Sequence, residues 1–126
     1  MSATHFNQYL GIRVASRHRD GITIECRMRK ELLNFAGVLH GGVTATLADV
    51  AVGQALAKRL GSFGAATTAE LKVNYLRPIL GRKVTARSHL LQVGKRLCVA
   101  RVDVFDDQNN LAAVALVTYM RLRSDR

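Results

Sequence analysis

The residues able to do chemistry are concentrated in one stretch, NFAGVLHGGVTATLADVAVGQALAK, residues 34–58. It holds two adjacent glycines, Gly41 and Gly42, a histidine just before them, His40, and a lone acid, Asp49. Asp49 is the only charged residue between Gly41 and Ala57. Burying an unpaired carboxylate among small and apolar neighbours is costly, so a chain keeps one where it is paired or useful. Desolvation is expected to raise its pKa towards the range of a working base. Two chemical roles fit: a general base that activates water, or a nucleophile that attacks a carbonyl. A structural role also fits, in which Asp49 ties down a loop or a facing helix.

The glycines supply the complementary chemistry. From about Gly42 to Leu60 the pattern is helical, rich in Ala and Leu and free of Pro, with Gly61 as a stop and Lys58 and Arg59 in the last turn. Backbone N–H groups in the first turn have no intrahelical partner and sit at the positive end of the dipole. With no side chain at Gly41 or Gly42, a carbonyl oxygen can approach them, as an oxyanion hole requires. The same pair would also let the helix start pack tightly on a sheet. Gly41 and Asp49 are eight residues apart, about 12 Å along a helix. A base must lie within about 3 Å of its proton, directly or through one water. One helix therefore cannot present both groups to one carbonyl. Two antiparallel helices about a two-fold axis can, so the spacing favours a homodimer with two composite sites.

The rest of the chain must position these groups. Its 126 residues are enough for one domain, taken as residues 1–126. The apolar share is 48%, with one Pro and ten Gly, which argues against low complexity. No apolar run reaches the roughly 18 residues of a transmembrane helix. MSATHFNQYLGIRV lacks the basic and apolar regions of a signal peptide, so a cytoplasmic protein is expected. There Cys26 and Cys98, isolated and without a CxxC, are expected to stay reduced and packed as small hydrophobes.

Turn signals divide the chain into strands around the apolar helix. GIRVASR and GITIECRMR, joined by RDG, read as a hairpin, preceded by a short helix within residues 1–10 that ends at Gly11. After Gly64, TTAELKVNYL alternates and stops at Arg77-Pro78. RKVTARSHLLQV, RLCVARVDVF and LAAVALVTYMRL, separated by GK and DDQNN, read as a three-stranded meander. A helix apolar on almost every face is expected to be surrounded by other structure. The expected architecture is α+β: a long central helix embraced by a curved antiparallel sheet of five or six strands.

HGGVTATLAD, followed by TTAELKVNYLRP and then GKR, resembles the hotdog-fold acyl-CoA thioesterases, in particular their phenylacetate-pathway-like branch. The resemblance covers roughly residues 30–122. It implies that Asp49 is the catalytic carboxylate and that the Gly41 N–H, with Gly42 beside it, polarises the thioester carbonyl. Asn34 and His40 match polar residues near the thioester, implicated in substrate positioning or thiol departure. His40 could equally hydrogen-bond a nearby loop. Thr68 falls where relatives place a water-orienting hydroxyl, often that of a Ser, and the adjacent Thr67 leaves this assignment open by one residue. Relatives are dimers, often dimers of dimers. No cofactor is implied, because coenzyme A is part of the substrate.

The net charge of +10, from 19 Lys+Arg against 9 Asp+Glu, favours polyanionic partners. Under the resemblance, Arg77, Arg82, Lys83, Lys95 and Arg96 flank strand ends and are candidates for the CoA phosphates, or are solvated surface charges. The acyl group is not identified, since such pockets discriminate weakly per methylene. Three functions compete. Thioester hydrolysis is favoured. Enoyl-CoA hydration lacks a His soon after Asp49. A non-catalytic acyl-CoA-binding or nucleic-acid-binding module draws on the charge, but no helix-turn-helix or aromatic-basic platform is present, so specific nucleic-acid binding is not expected. His5, His18 and His89 have no partners at metal-ligand spacing, so no metal is expected. No G-x-S-x-G elbow, Walker A loop or G-x-G-x-x-G fingerprint occurs.

Overall fold

The computed structural model describes residues 4–122. Residues 1–3 and 123–126, the ends of the expected domain and the start of the expected first helix, lie outside them. Helix α1 spans His5–Leu10, with the Thr4 side chain accepting from the Asn7 N–H at its start and Gly11 at φ 77° closing it. Strands β1 (Ile12–His18) and β2 (Gly21–Arg27) form the hairpin turned at Arg19 and Asp20. A short 3-10 turn, Lys30–Leu32, and a loop lead into helix α2, Gly41–Leu60. Strands β3 (Ala66–Tyr75), β4 (Lys83–Val93), β5 (Leu97–Phe105) and β6 (Leu111–Arg121) follow. All pairings are antiparallel, in the order β1-β2-β4-β5-β6-β3.

Alternation along the sheet explains how the helix is held. One face of β4, β5 and β6 carries Val84, Ala86, Ser88, Cys98, Ala100, Val102, Val104, Ala113, Ala115 and Val117, all buried. Leu47, Ala48, Ala51, Val52, Ala55 and Leu56 of α2 are buried against them. Full burial of a Leu or Val is worth about 1.5–3 kcal/mol, and the many alanines let helix and sheet approach closely. Ser88, fully buried, ties the layers: its Oγ donates to the Ala51 carbonyl at 2.8 Å and accepts from the Ile22 N–H at 3.0 Å. At Gly21 a Cβ would sit 1.8 Å from the Ser88 carbonyl oxygen, so no side chain fits there. Cys26 and Cys98 are free and buried.

Two features set up the site. First, α2 is not enclosed all round within the chain: Val43, Ala45, Asp49, Val50 and Gly53 are only half-buried. The sheet covers one side of the helix and leaves a flank open. Second, β3 ends the sheet, pairs among the described residues with β6 alone, and exposes most of its ten residues. Edge strands of this length carry a row of unpaired backbone groups. Among the described residues no helix is long and apolar enough to cross a membrane.

Candidate active site

One helix delivers two separate groups of residues. Asp49 lies on the open flank of α2, facing the junction of β3 and β6. The Thr68 hydroxyl donates to Asp49 Oδ1 at 2.7 Å. The Tyr119 hydroxyl lies 3.0 Å from the same Oδ1 and 3.0 Å from the Asp49 backbone oxygen. Burial of the Tyr119 ring holds its phenol well above its ordinary pKa, with the Asp49 charge adding to the effect, so the hydroxyl is a donor. Asp49 is half-buried, less than its sequence context predicts, because among the described residues no element covers that flank.

The register of β3 sets Thr68, rather than Thr67, beside Asp49. Leu71 and Val73 face the helix, paired with Val117 and Ala115 of β6. Strict alternation would bring Ala69 inward next. The β3–β6 pairing shifts between Thr68 and Glu70, a bulge that turns Thr68 inward and sets it directly opposite Tyr119. Thr67 pairs with the exposed Met120.

Tyr119 was not legible as a site residue. It reads as one more apolar position in LAAVALVTYMRL. A faint signal exists in Gly53, one turn beyond Asp49 on the same face of α2. Glycine inside a helix costs about 1 kcal/mol relative to alanine. A Cβ there would lie 2.9 Å from the Tyr119 hydroxyl oxygen.

The helix start forms the second group. His40 is the N-cap of α2, and its Nδ1 accepts from the Gly42 N–H at 2.9 Å. That bond assigns the imidazole proton to Nε2. Among the described residues the Gly41 N–H has no acceptor, so it is the free donor of the pair. The Tyr75 hydroxyl donates to the Gly41 carbonyl at 2.5 Å, tying the end of β3 to the helix start. Asn34 Oδ1 accepts from the Ala36 and Val38 N–H groups at 2.9 and 3.3 Å and shapes the loop before the helix. An open cleft of about 650 Å³ runs between these parts, lined by Asn34, Gly41, Gly42, Tyr75 and Arg77 among others.

The five cationic candidates fall in three places. Arg77 lines the cleft at the helix start. Arg82 and Lys83 line a separate open cleft of about 960 Å³, where Lys83 pairs with Glu25 at 3.3 Å. Lys95 and Arg96 are exposed in the turn between β4 and β5. His18 and His89 stand apart in the sheet, His89 Nδ1 lying 3.1 Å from Asp20 and Nε2 3.4 Å from Asp103.

Asp49 and the helix start thus sit in two places on one uninterrupted helix, each incomplete for chemistry on a carbonyl. Comparison with known proteins places this arrangement in a family. A family model described as the thioesterase superfamily matches residues 36–113. The medium/long-chain acyl-CoA thioesterase YigI of Escherichia coli is 32% identical, over 91% of this chain and 84% of its own length. The phenylacetic acid degradation protein PaaI of Thermus thermophilus superposes with a TM-score of 0.82 at 29% identity, covering 93% of this chain and 98% of that one. The BH2602 protein of Bacillus halodurans, whose structure contains CoA, superposes with a TM-score of 0.85 at 28% identity, covering 96% and 78%. Matched over more than half its length, the chain belongs to the thioesterase superfamily, as a hotdog-fold thioesterase of the phenylacetate-pathway-like branch.

Proposed function

We propose that this chain hydrolyses the thioester of a small aromatic or fatty acyl-CoA, releasing the free acid and CoA, in sites shared between two protomers. The observation that carries this reading is the geometry of Asp49. Its Oδ1 takes the Thr68 and Tyr119 hydroxyls, its Oδ2 has no donor among the described residues, and the residue is only half-buried on its flank of the helix. A carboxylate held by one oxygen presents the other to a reacting atom.

Pairing of the two β3 edges about a two-fold axis would close the open edge and lay the two copies of α2 antiparallel. Asp49 of one protomer then faces Gly41 of the partner subunit across a bound thioester. Water attacks the carbonyl carbon as Asp49 takes its proton. The Gly41 N–H receives the developing oxyanion. Collapse breaks the C–S bond, and the CoA sulfur leaves with the proton. In the covalent variant the Asp49 carboxylate attacks first, the C–S bond breaks and the CoA thiolate leaves as the anhydride forms, and water then hydrolyses the anhydride. Both routes use the same placement. His40 occupies the Gly42 N–H, which leaves Gly41 as the oxyanion donor and gives His40 a capping role; its Nε2–H is available to the substrate.

Arg77, in the cleft with Gly41, is placed to meet the CoA phosphates nearest the thioester. Arg82, Lys83, Lys95 and Arg96 lie too scattered within one chain to form a single phosphate site, and serve the nucleotide end only across protomers. The exposed Leu97, Leu116 and Met120 on the outer sheet face suit a second-level contact, giving a dimer of dimers. No cofactor enters these steps, and the setting is the cytoplasm.

Hybrid dimers test this reading. Asp49→Asn removes the acid, and Gly41→Pro removes the free N–H. Proline fits the first helical position, and His40 already has the extended backbone, φ −61° and ψ 134°, that precedes proline. Each variant alone should release almost no thiol from acyl-CoA. Co-expressed chains should recover about a quarter of wild-type activity, because half the dimers are hybrids with one intact site of two. A mixture no more active than its parents would overturn the shared site.

A further inference from the structure

We infer that Tyr119 is a positioning residue for the thioesterase reaction, fixing the Asp49 carboxylate so that only Oδ2 faces the substrate. The inference rests on the role given to Asp49 above and extends it to a residue in the last strand.

Four observations converge. Tyr119 is buried, only 7% exposed, yet its hydroxyl reaches within 3.0 Å of Asp49 Oδ1. The other helix-facing residues of β6, Ala113, Ala115 and Val117, are small and apolar, so the phenol is the one polar group β6 sends towards the helix in this row. The bulge in β3 places Thr68 directly across from Tyr119, which brings two hydroxyl donors to the same carboxylate oxygen. Finally, Gly53 interrupts the Ala- and Leu-rich helix where the hydroxyl lies. Its missing Cβ would stand 2.9 Å from that oxygen, but at an ordinary 3.6 Å from the ring carbon Cζ.

The chemistry follows from these contacts. A carboxylate on a helix has two torsions to settle, and a single donor leaves it free to swing. Two donors on Oδ1 fix both torsions, and the remaining oxygen keeps its basicity for water or the thioester carbonyl. The one Tyr119 proton has two acceptors at equal distance, Oδ1 and the Asp49 backbone carbonyl. The positioning role requires it on Oδ1, which as a charged oxygen is the stronger acceptor. Gly53 is the accommodation that makes the contact possible.

Two variants and their combination test it. Tyr119→Phe keeps the ring and removes the hydroxyl. It should lower kcat about ten- to thirty-fold, the loss of a hydrogen bond to a charged group, with KM nearly unchanged. Gly53→Ala should push the hydroxyl away and lower kcat similarly, together with Tm. The double variant should regain the Tm lost by Gly53→Ala, because the clash is gone and alanine favours the helix, while kcat stays low. A hydroxyl that merely ties sheet to helix would move Tm and leave kcat intact in all three, and that result overturns the proposal. If Asp49→Asn is inactive while Tyr119→Phe turns over normally, the positioning role alone fails. If Asp49→Asn itself turns over normally, the reading of Asp49 fails and the role of Tyr119 with it.

Discussion

The two ends of the candidate site are built in different ways. At the helix start the proposed donor is a backbone N–H, and most of what shapes it is local: His40 caps, Gly42 is capped, and Asn34 shapes the loop six residues before, with Tyr75 of β3 bonded to the Gly41 carbonyl from farther along the chain. Around Asp49 the proposed groups are side chains, from residues 49, 68 and 119, the last two joined by sheet register and the first brought to them by the packing of α2 on the sheet. The first half depends on helix geometry, which almost any sequence of the right propensity reproduces. The second depends on one strand pairing being correct to the residue. A backbone donor survives changes of side chain, whereas a converging set of side chains does not.

That contrast is open to attack from several directions. The largest effect is expected at Asp49: Asp49→Asn should cost about 10²–10⁴ in kcat, the range for removing a general base, with the fold unchanged by circular dichroism. Retention of normal thiol release would end the assignment. At the helix start the backbone argument makes a two-sided prediction. Gly41→Ala keeps the N–H, and its Cβ meets the Tyr75 hydroxyl at 3.3 Å, the far end of a side chain able to give way. It should stay within about three-fold of wild type, whereas Gly41→Pro should lose about 10²–10³. Equal losses in the two variants would mean that space at Gly41 matters rather than its donor.

The threonines set an intermediate effect beside the smallest one. Thr68→Val should lower kcat about ten-fold and Thr68→Ser only slightly, since serine keeps the donor. Thr67→Val should change kcat less than two-fold, because Thr67 lies opposite the exposed Met120. Steady-state kinetics with a thiol-trapping dye would read all four positions. A larger loss at Thr67 than at Thr68 would contradict the register.

Local rules made much of the fold legible. The helix read as Gly42–Leu60 spans Gly41–Leu60, and Gly61 closes it at φ 77°, because propensity, a glycine stop and basic last-turn residues agree there. The β1–β2 hairpin and the β4–β5–β6 meander follow their turn signals. Sequence proximity does not say where β3 goes: it pairs with β6, the last strand, and so becomes an edge. Nor does TTAEL announce a bulge, since it has no glycine and its residues suit a regular strand. Asp49 stood out because charge is conspicuous in an apolar helix. Tyr119 did not, because an aromatic residue in an alternating strand has an ordinary explanation in the core.

The irregularity beside Ala69 has a consequence for how such a chain can vary over evolutionary time. Between the pairs Thr68–Tyr119 and Leu71–Val117, β3 has two residues and β6 has one, so losing one residue there would restore a regular ladder with Thr68 still opposite Tyr119. Gaining one would instead widen the bulge or set another side chain against the acid. In this short window lineages are expected to tolerate the loss of a residue better than the gain of one.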